Sequence, residues 1–533
     1  MVFSQTVVVR YALATLQTLK PIRKKSTFDK QTLYAMDKAN HRMSPIEIDK
    51  DEFRETGYRL IDTIADFYDT INKRPVTTGE TPKQIQTVLG NASLPDDGTS
   101  VSELFIKTAD LLLNHSLLNG HPKFFGYITS SPTQIGALAD LLAAAVNPNV
   151  GANVLSPMAT AIEKQTVKWL SEFIGTSAGY GGILVSGGNM ANLTAFLVAR
   201  TAKAPKSMKE DGLANTSDEM VFYCSKATHT WIEKAAVLFG HGTKAIRWIP
   251  TDTGNKMNTA ILLQTINSDV KNGKKPFLVI GNAGDVSTGV VDNLLEIAAI
   301  CKEHDLWFHI DGAYGIPAAA IPKYKKLFDG IQEADSIALD PHKWLYAPLE
   351  AGCTLVKNPQ HMIDTYSAHP VYYNFDSSTD EPTLNYYEYG FQNSRGFRAL
   401  KVWMALQQVG KNGYIKMINE DIELSQLLFE EAQKHPELEP VTQNLSIATL
   451  RYVPLNYIQA EGMNETYLNT LNEKLLNELQ QGGEVFLSNA VVADKYCLRA
   501  CIVNFRTSKK DIQEIIEIIV REGRKVYEKI QAK

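Results

Sequence analysis

Two polar clusters in this 533-residue chain have the residue types and placement to do chemistry. One is LWFHIDGAYG, starting at Leu306, and the other is SIALDPHKW, ending at Trp344. Each is a short apolar run closing on polar residues, as a buried parallel strand does when it ends at a site. Asp311 closes the first and Lys343 the second. Ligands in open α/β sheets collect outside the carboxyl ends of the strands, so an acid and an amine at two such ends can face one ligand. A Lys that forms a Schiff base, beside an acid that pairs with a pyridinium nitrogen, is the arrangement that pyridoxal phosphate chemistry uses.

IDGAYG together with DPHKW, where the Lys directly follows a His, closely resembles the group II pyridoxal-phosphate decarboxylases. That family includes aromatic amino acid, histidine, glutamate and cysteine sulfinate decarboxylases, and the resemblance runs from about Met43 to the end of the chain. It implies an α/β protein of fold type I: a central, mostly parallel seven-stranded sheet flanked by helices, an N-terminal helical segment and a small C-terminal α+β domain. The corresponding segments are 43–133 for the N-terminal dimerisation helices, 134–400 for the large cofactor-binding domain and 401–533 for the small domain. The implied reaction is decarboxylation of an L-amino acid to an amine and CO2. An aromatic substrate is slightly favoured, against an acidic one (glutamate, aspartate or cysteine sulfinate) or a decarboxylation-dependent oxidative deamination to an aldehyde.

The elements that must position these groups follow in order. From about Asp49, apolar residues from Phe53 to Ile71 recur at helical spacing and stop before Pro75. A second helix is expected over Val101 to Leu113. Neither has enough surrounding sequence for a core of its own; by resemblance they pack on a partner subunit, making an obligate homodimer with shared active sites. HPKFFGYITSSP matches the family's substrate-side segment, where Phe124, Phe125 and Tyr127 either line a side-chain pocket or fill the core. Ser156-Pro157 predicts a helix N-cap with proline in the favoured first position, and Gly175 its C-terminal stop. Before that helix lies the loop that carries large apolar groups in aromatic decarboxylases; here it reads Asn149, Val150, Gly151, Ala152, Asn153. That departure weighs against an aromatic substrate.

GGILVSGGNMANLTAFLVAR predicts a strand over Ile183 to Val185, a glycine turn and a helix from about Met190. N–H groups at a helix start, approached closely because Gly187 and Gly188 lack side chains, make an anion site. The G-x-G-x-x-G spacing is absent, which disfavours NAD. By resemblance, Gly188, Asn189 and His342 hold the cofactor phosphate, His229 stacks on the pyridine ring, Ala313 packs on its other face and Asp311 keeps the ring nitrogen protonated. Ungapped alignment from DPHKW places the lid tyrosine, which protonates the product carbanion, at Tyr372, with Tyr373 one place away. The family usually carries Thr where this chain has Asp285, for which no role follows from the sequence. A substrate acid would need a cation, for which Arg395 comes before Lys123.

Composition bounds the rest. Hydrophobic content of 44% and charged content of 21% describe a globular protein, and 533 residues exceed one core's usual limit. The net charge of −5, with basic residues unclustered, disfavours nucleic acid. The longest apolar candidate, Ile135 to Val146, is too short for a bilayer and carries Asp140. Five scattered cysteines read as reduced thiols of a cytoplasmic protein, and Cys497 and Cys501 as packing residues rather than metal ligands. Residues 1–42, with eight Lys or Arg against two acids, are expected to be a disordered extension or the product of a start codon set too early.

Overall fold

The computed structural model describes residues 44–532 apart from 177–178, 214–217, 369–382 and 459–463. Backbone contacts divide the chain into two compact units after Ile64, inside helix α1 (Lys50–Thr70). In the smaller unit, α1 starts where the Asp49 carboxylate accepts the N–H groups of Asp51 (2.8 Å) and Glu52 (3.0 Å), satisfying two of the donors a helix start leaves free. Phe53 and Tyr58 are exposed on it.

The larger unit takes the end of α1 and continues with α2 (Pro82–Leu89), which opens with a Thr81–Gln84 capping box, and α3 (Val101–Asn114), capped by Ser100. Helix α4 (Gln134–Val146) precedes α5 (Pro157–Ile174). Proline occupies the first turn of α5 and Gly175 ends it at φ 81°, both as the sequence predicts. Ser156 differs: its hydroxyl donates to the Asn149 carbonyl (2.6 Å), fastening the preceding loop instead of capping the helix.

Seven strands form the main sheet: β1 (Gly181–Val185), β2 (Met220–Ser225), β3 (Ile246–Ile249), β4 (Lys275–Asn282), β5 (Trp307–Asp311), β6 (Ser336–Leu339) and β7 (Gly352–Val356). Their order is 1-7-6-5-4-2-3, parallel throughout except for β7, which runs antiparallel to both its neighbours. Alternate side chains enter two cores. Leu184, Tyr223, Phe308, Ile310 and Leu339 pack with α5 and with the helices Thr259–Lys271 and Leu294–Glu303. Ile183, Phe222, Trp307 and Ala338 pack with helices on the other face, between Gly188 and Lys203 and between Trp231 and Leu238. Burial on both faces explains why these strands read as continuous apolar runs rather than alternating ones.

A long helical stretch, Ala399–Lys434, is broken at Gly410 (φ 68°) and leads into the small domain. There β8 (Leu438–Asn444), β9 (Ile447–Tyr452), β10 (Ser488–Val492) and β11 (Lys495–Cys501) make an antiparallel sheet of order 10-11-9-8. Helices Glu465–Gly482 and Lys509–Gln531 bury their Leu and Ile stripes against it. All five cysteines are buried free thiols, Cys497 and Cys501 among them on β11. Among the described residues no helix is long and apolar enough to cross a membrane, and no group of three or more His, Cys, Asp or Glu is placed to hold a metal.

Candidate active site

The carboxyl ends of β5 and β6 open on a cavity of about 630 Å³. Gly188, Asn189, His229 and Asp311 line it, together with Ala313, His342 and Lys343. Residues separated by more than 150 positions are thus gathered by sheet order, β5 and β6 being neighbours at its centre. A larger cleft of about 930 Å³, lined by Lys323, Glu430 and Lys509, holds none of the expected residues.

Asp311 ends β5 and is buried. Its Oδ2 accepts the Trp231 indole N–H at 2.7 Å and its Oδ1 the Ala313 N–H at 3.2 Å, so the carboxylate is held at both oxygens. Behind it on the same strand, His309 contacts Ser336 Oγ through Nδ1 (2.8 Å) and Asn192 Oδ1 through Nε2 (2.7 Å), and burial brings its pKa down to about 4. Asn192 in turn donates to the Gly188 carbonyl at 2.9 Å, tying β5 to the glycine turn.

His229 lies on the turn between β2 and the helix starting at Trp231. Burial lowers its pKa, opposed by the nearby Asp311, so the ring is neutral above its ordinary titration range. That suits a group expected to lie flat against a cationic ring. On the glycine turn, Gly187 takes φ 107°, a region open mainly to glycine, and the helix starts at Gly188, two residues earlier than the sequence predicts. No side chain caps that helix, which leaves its first N–H groups available to an anion.

Lys343 stands beyond β6 on a turn closed by its own N–H to the Asp340 carbonyl (2.9 Å). Ser130 donates to the His342 carbonyl (2.8 Å) and Thr133 N–H to the Tyr346 carbonyl (3.0 Å), so the N-terminal segment straps this turn. His342 keeps its Nδ1 against the Ala351 main chain, and burial lowers its pKa.

Several expectations for the substrate side change. Phe124 and Phe125 do not line the cavity. The Phe125 N–H donates to the Phe486 carbonyl (2.8 Å) and its carbonyl accepts from Cys501 N–H (3.0 Å), which turns both rings into the small domain's packing. Phe125 joins that core, and Phe124 stacks on Phe486 at 5.5 Å. Tyr127 does line it, 58% exposed and at φ 51°. Arg395 pairs with buried Glu163 (2.6 Å) and also donates to the Val150 and Leu184 carbonyls, so it faces no substrate. Lys123 pairs with Glu514 at 2.8 Å. Tyr372 and Tyr373 lie outside the described residues.

Other contributors carry little sequence signal. Trp231 follows His229 by two positions, a local hint; Arg499, Ser488 and Asn489 arrive from β10 and β11, far away in the chain. Arg499 is buried, donating through Nη1 to the Tyr127 carbonyl (3.0 Å) and Ser488 Oγ (2.9 Å), with Nε and Nη2 unpartnered. Asp285 now has a role: its carboxylate accepts N–H groups of Ser287, Thr288 and Val290, closing its own turn at the cavity wall.

These residues fit pyridoxal phosphate: an uncapped helix start for the phosphate, a buried acid for the ring nitrogen, and an amine lining the same cavity. A family model described as the pyridoxal-dependent decarboxylase conserved domain matches residues 82–453. An aromatic-L-amino-acid decarboxylase of Bacillus atrophaeus is 33% identical, over 88% of this chain and 95% of its own length. A phenylacetaldehyde synthase of a Rosa hybrid cultivar is 28% identical over 89% and 94%. Among solved structures, Oryza sativa TDC with PLP and tryptamine superposes with a TM-score of 0.84 at 23% identity, covering 91% of this chain and 99% of that one. With the site and these matches in agreement, the chain belongs to the pyridoxal-dependent decarboxylases and is a carboxy-lyase that uses pyridoxal phosphate to convert an L-amino acid to its amine and CO2.

Proposed function

We propose that the substrate is an aromatic L-amino acid and that Lys343 carries the cofactor. The observation that carries the substrate reading is Tyr127. Its neighbours Phe124 and Phe125 are drawn into the small domain, whereas its own left-handed backbone leaves the ring exposed at the cavity. A flat apolar wall of that kind suits ring-on-ring contact. The name of the Bacillus relative supports the same reading.

Bound there, pyridoxal phosphate supplies a ring that takes up the electron pair left as CO2 departs. The chain's own residues do the rest. Asp311 pairs with the ring nitrogen, with Trp231 and the Ala313 N–H keeping its carboxylate from turning away. Neutral His229 would cover one face of the ring and Ala313 the other. The N–H groups of Gly188 and Asn189, with His342, hold the phosphate. Held at both ends by these residues, the ring would keep one orientation, which would let them select the substrate bond that is broken. Tyr372 returns a proton to the substrate carbon, which favours amine over aldehyde.

Screening the common amino acids for CO2 release with amine detection tests the substrate. Phenylalanine, tyrosine or tryptophan should lead; a preference for glutamate or cysteine sulfinate would support a second reading, for which Arg499 is the specific observation. A buried guanidinium with two unpartnered nitrogens at the cavity wall is an acid-binding group in waiting.

The enzyme acts as a homodimer in the cytoplasm. Leu138, Leu141, Leu142 and Val146 stand exposed on α4, followed by Val154, Leu155 and Met158, apolar side chains that a partner subunit would cover. The buried free thiols suit a reducing compartment. Sedimentation at micromolar concentration should give twice the chain mass; a monomeric active enzyme would refute the dimer.

A further inference from the structure

We propose that Asp340 is the resting place of the Lys343 ammonium, the buried carboxylate to which the amine withdraws when the amino acid displaces it from the cofactor. This rests on Lys343 bearing the cofactor.

Asp340 is 1% exposed, and neither carboxylate oxygen receives a hydrogen bond. Lys343 Nζ lies 3.1 Å from Oδ2, close enough for an ion pair but off the line a hydrogen bond requires. A buried carboxylate without donors stays ionised only if a cation faces it. The charged and titratable groups around it leave one candidate. His342 Nε2 is 3.7 Å away, on a ring whose pKa burial lowers, and Lys401 is paired with Asp140 at 3.1 Å. His229, its pKa also lowered by burial, and the carboxylate Asp311 share the cavity, and Cys353 is a buried thiol. Lys343 is the cation.

The turn builds this pair. Asp340 and Lys343 are three residues apart, the Lys343 N–H donates to the Asp340 carbonyl, and Pro341 sets the backbone between them. Gly188 makes room from the other side, since a Cβ there would lie 2.5 Å from Asp340 Oδ2. The carboxylate therefore sits between the amine and the glycine turn.

When substrate exchanges with Lys343, its nitrogen bonds to the carbon that Lys343 held and the bond from that carbon to Nζ breaks. Two of the substrate ammonium's three protons would pass to Nζ, joining the one that the protonated link between Lys343 and the cofactor already carries, and the third would stay on the substrate nitrogen. Lys343 leaves as an ammonium, without the lone pair needed to attack again, and Asp340 stabilises it in that form. Asp340 thus acts through Lys343 as a positioning residue that biases the exchange forward.

The test uses the full-length protein. Borohydride should fix the cofactor to Lys343 in both wild type and Asp340→Asn. In the variant, the pH midpoint of the visible band of the lysine-bound cofactor should fall by about one unit or more, because the charge favouring the protonated nitrogen is gone. In the cofactor-free protein, Lys343→Ala should lower the melting temperature by orphaning Asp340, and adding Asp340→Asn should recover at least half of that loss. A midpoint within about 0.2 unit of wild type, or a double variant no more stable than Lys343→Ala, would overturn the proposal. If borohydride leaves wild-type Lys343 unlabelled, the cofactor assignment fails instead, and the melting cycle still decides whether the ion pair exists.

Discussion

The two walls of the cavity are built in different ways. On the cofactor wall Asp311 is held by Trp231 and the Ala313 N–H, His342 by Ala351, and the Lys343 turn by Ser130. On the substrate wall, Tyr127 is exposed and Arg499 keeps two nitrogens without partners. Chemistry common to every amino acid needs a rigid frame. Recognition of one side chain needs groups still free to bind, and Tyr127 and Arg499 are such groups.

Breaking the cofactor wall should therefore cost far more than altering the substrate wall. Lys343→Ala should lower kcat by about a thousandfold or more and abolish borohydride labelling of the chain. Asp311→Asn, which keeps the shape but not the charge, should lower kcat by about 10²- to 10³-fold with a smaller change in KM. Trp231→Phe leaves Asp311 Oδ2 without its donor and should lower kcat roughly tenfold, within the range expected for one lost charge-assisted hydrogen bond. On the substrate wall, Arg499→Met should change kcat/KM for aromatic substrates less than about tenfold; a loss as large as that of Asp311→Asn would erase the contrast between the walls and favour an acidic substrate. Tyr372→Phe should shift product from amine towards aldehyde, ammonia and peroxide, read by oxygen uptake during turnover.

The frame behind the cofactor wall also has a pH signature. His309 titrates at about 4 in the folded protein against 6.5 unperturbed, so the unfolded chain binds the proton more readily between those values. Its contribution to stability is present above pH 6.5 and is lost as the pH falls towards 4. The gap between the melting temperatures of wild type and His309→Gln should accordingly narrow over that interval.

The same contrast governs how much could be read from the chain. IDGAYG, SGGN and DPHKW are local motifs at strand ends, and sheet order alone converges them, so the gathering of Asp311, Lys343 and Gly188 around one cavity was legible. Phe124 and Phe125 were misleading because their fate depends on main-chain pairing with Phe486 and Cys501, more than 350 residues away. Arg499 was invisible for the same reason: on β11 it reads as one polar residue in an apolar strand. Arg395 looked available because nothing local reveals Glu163 beneath it. Gly151, in the loop from Asn149 to Asn153, has a steric reason to lack a side chain, since a Cβ there would lie 2.1 Å from the Asn393 carbonyl oxygen.

Residues 125 and 130 are pinned to different bodies, the first to the small domain's backbone and the second to the turn bearing Lys343. The few residues between them, Tyr127 included, form a tether across the mouth of the site. Any rocking of the small domain has to be taken up there, so the width of the amino acid's berth tracks the angle between the two bodies, and changes in the distant small-domain core should register first as altered substrate affinity.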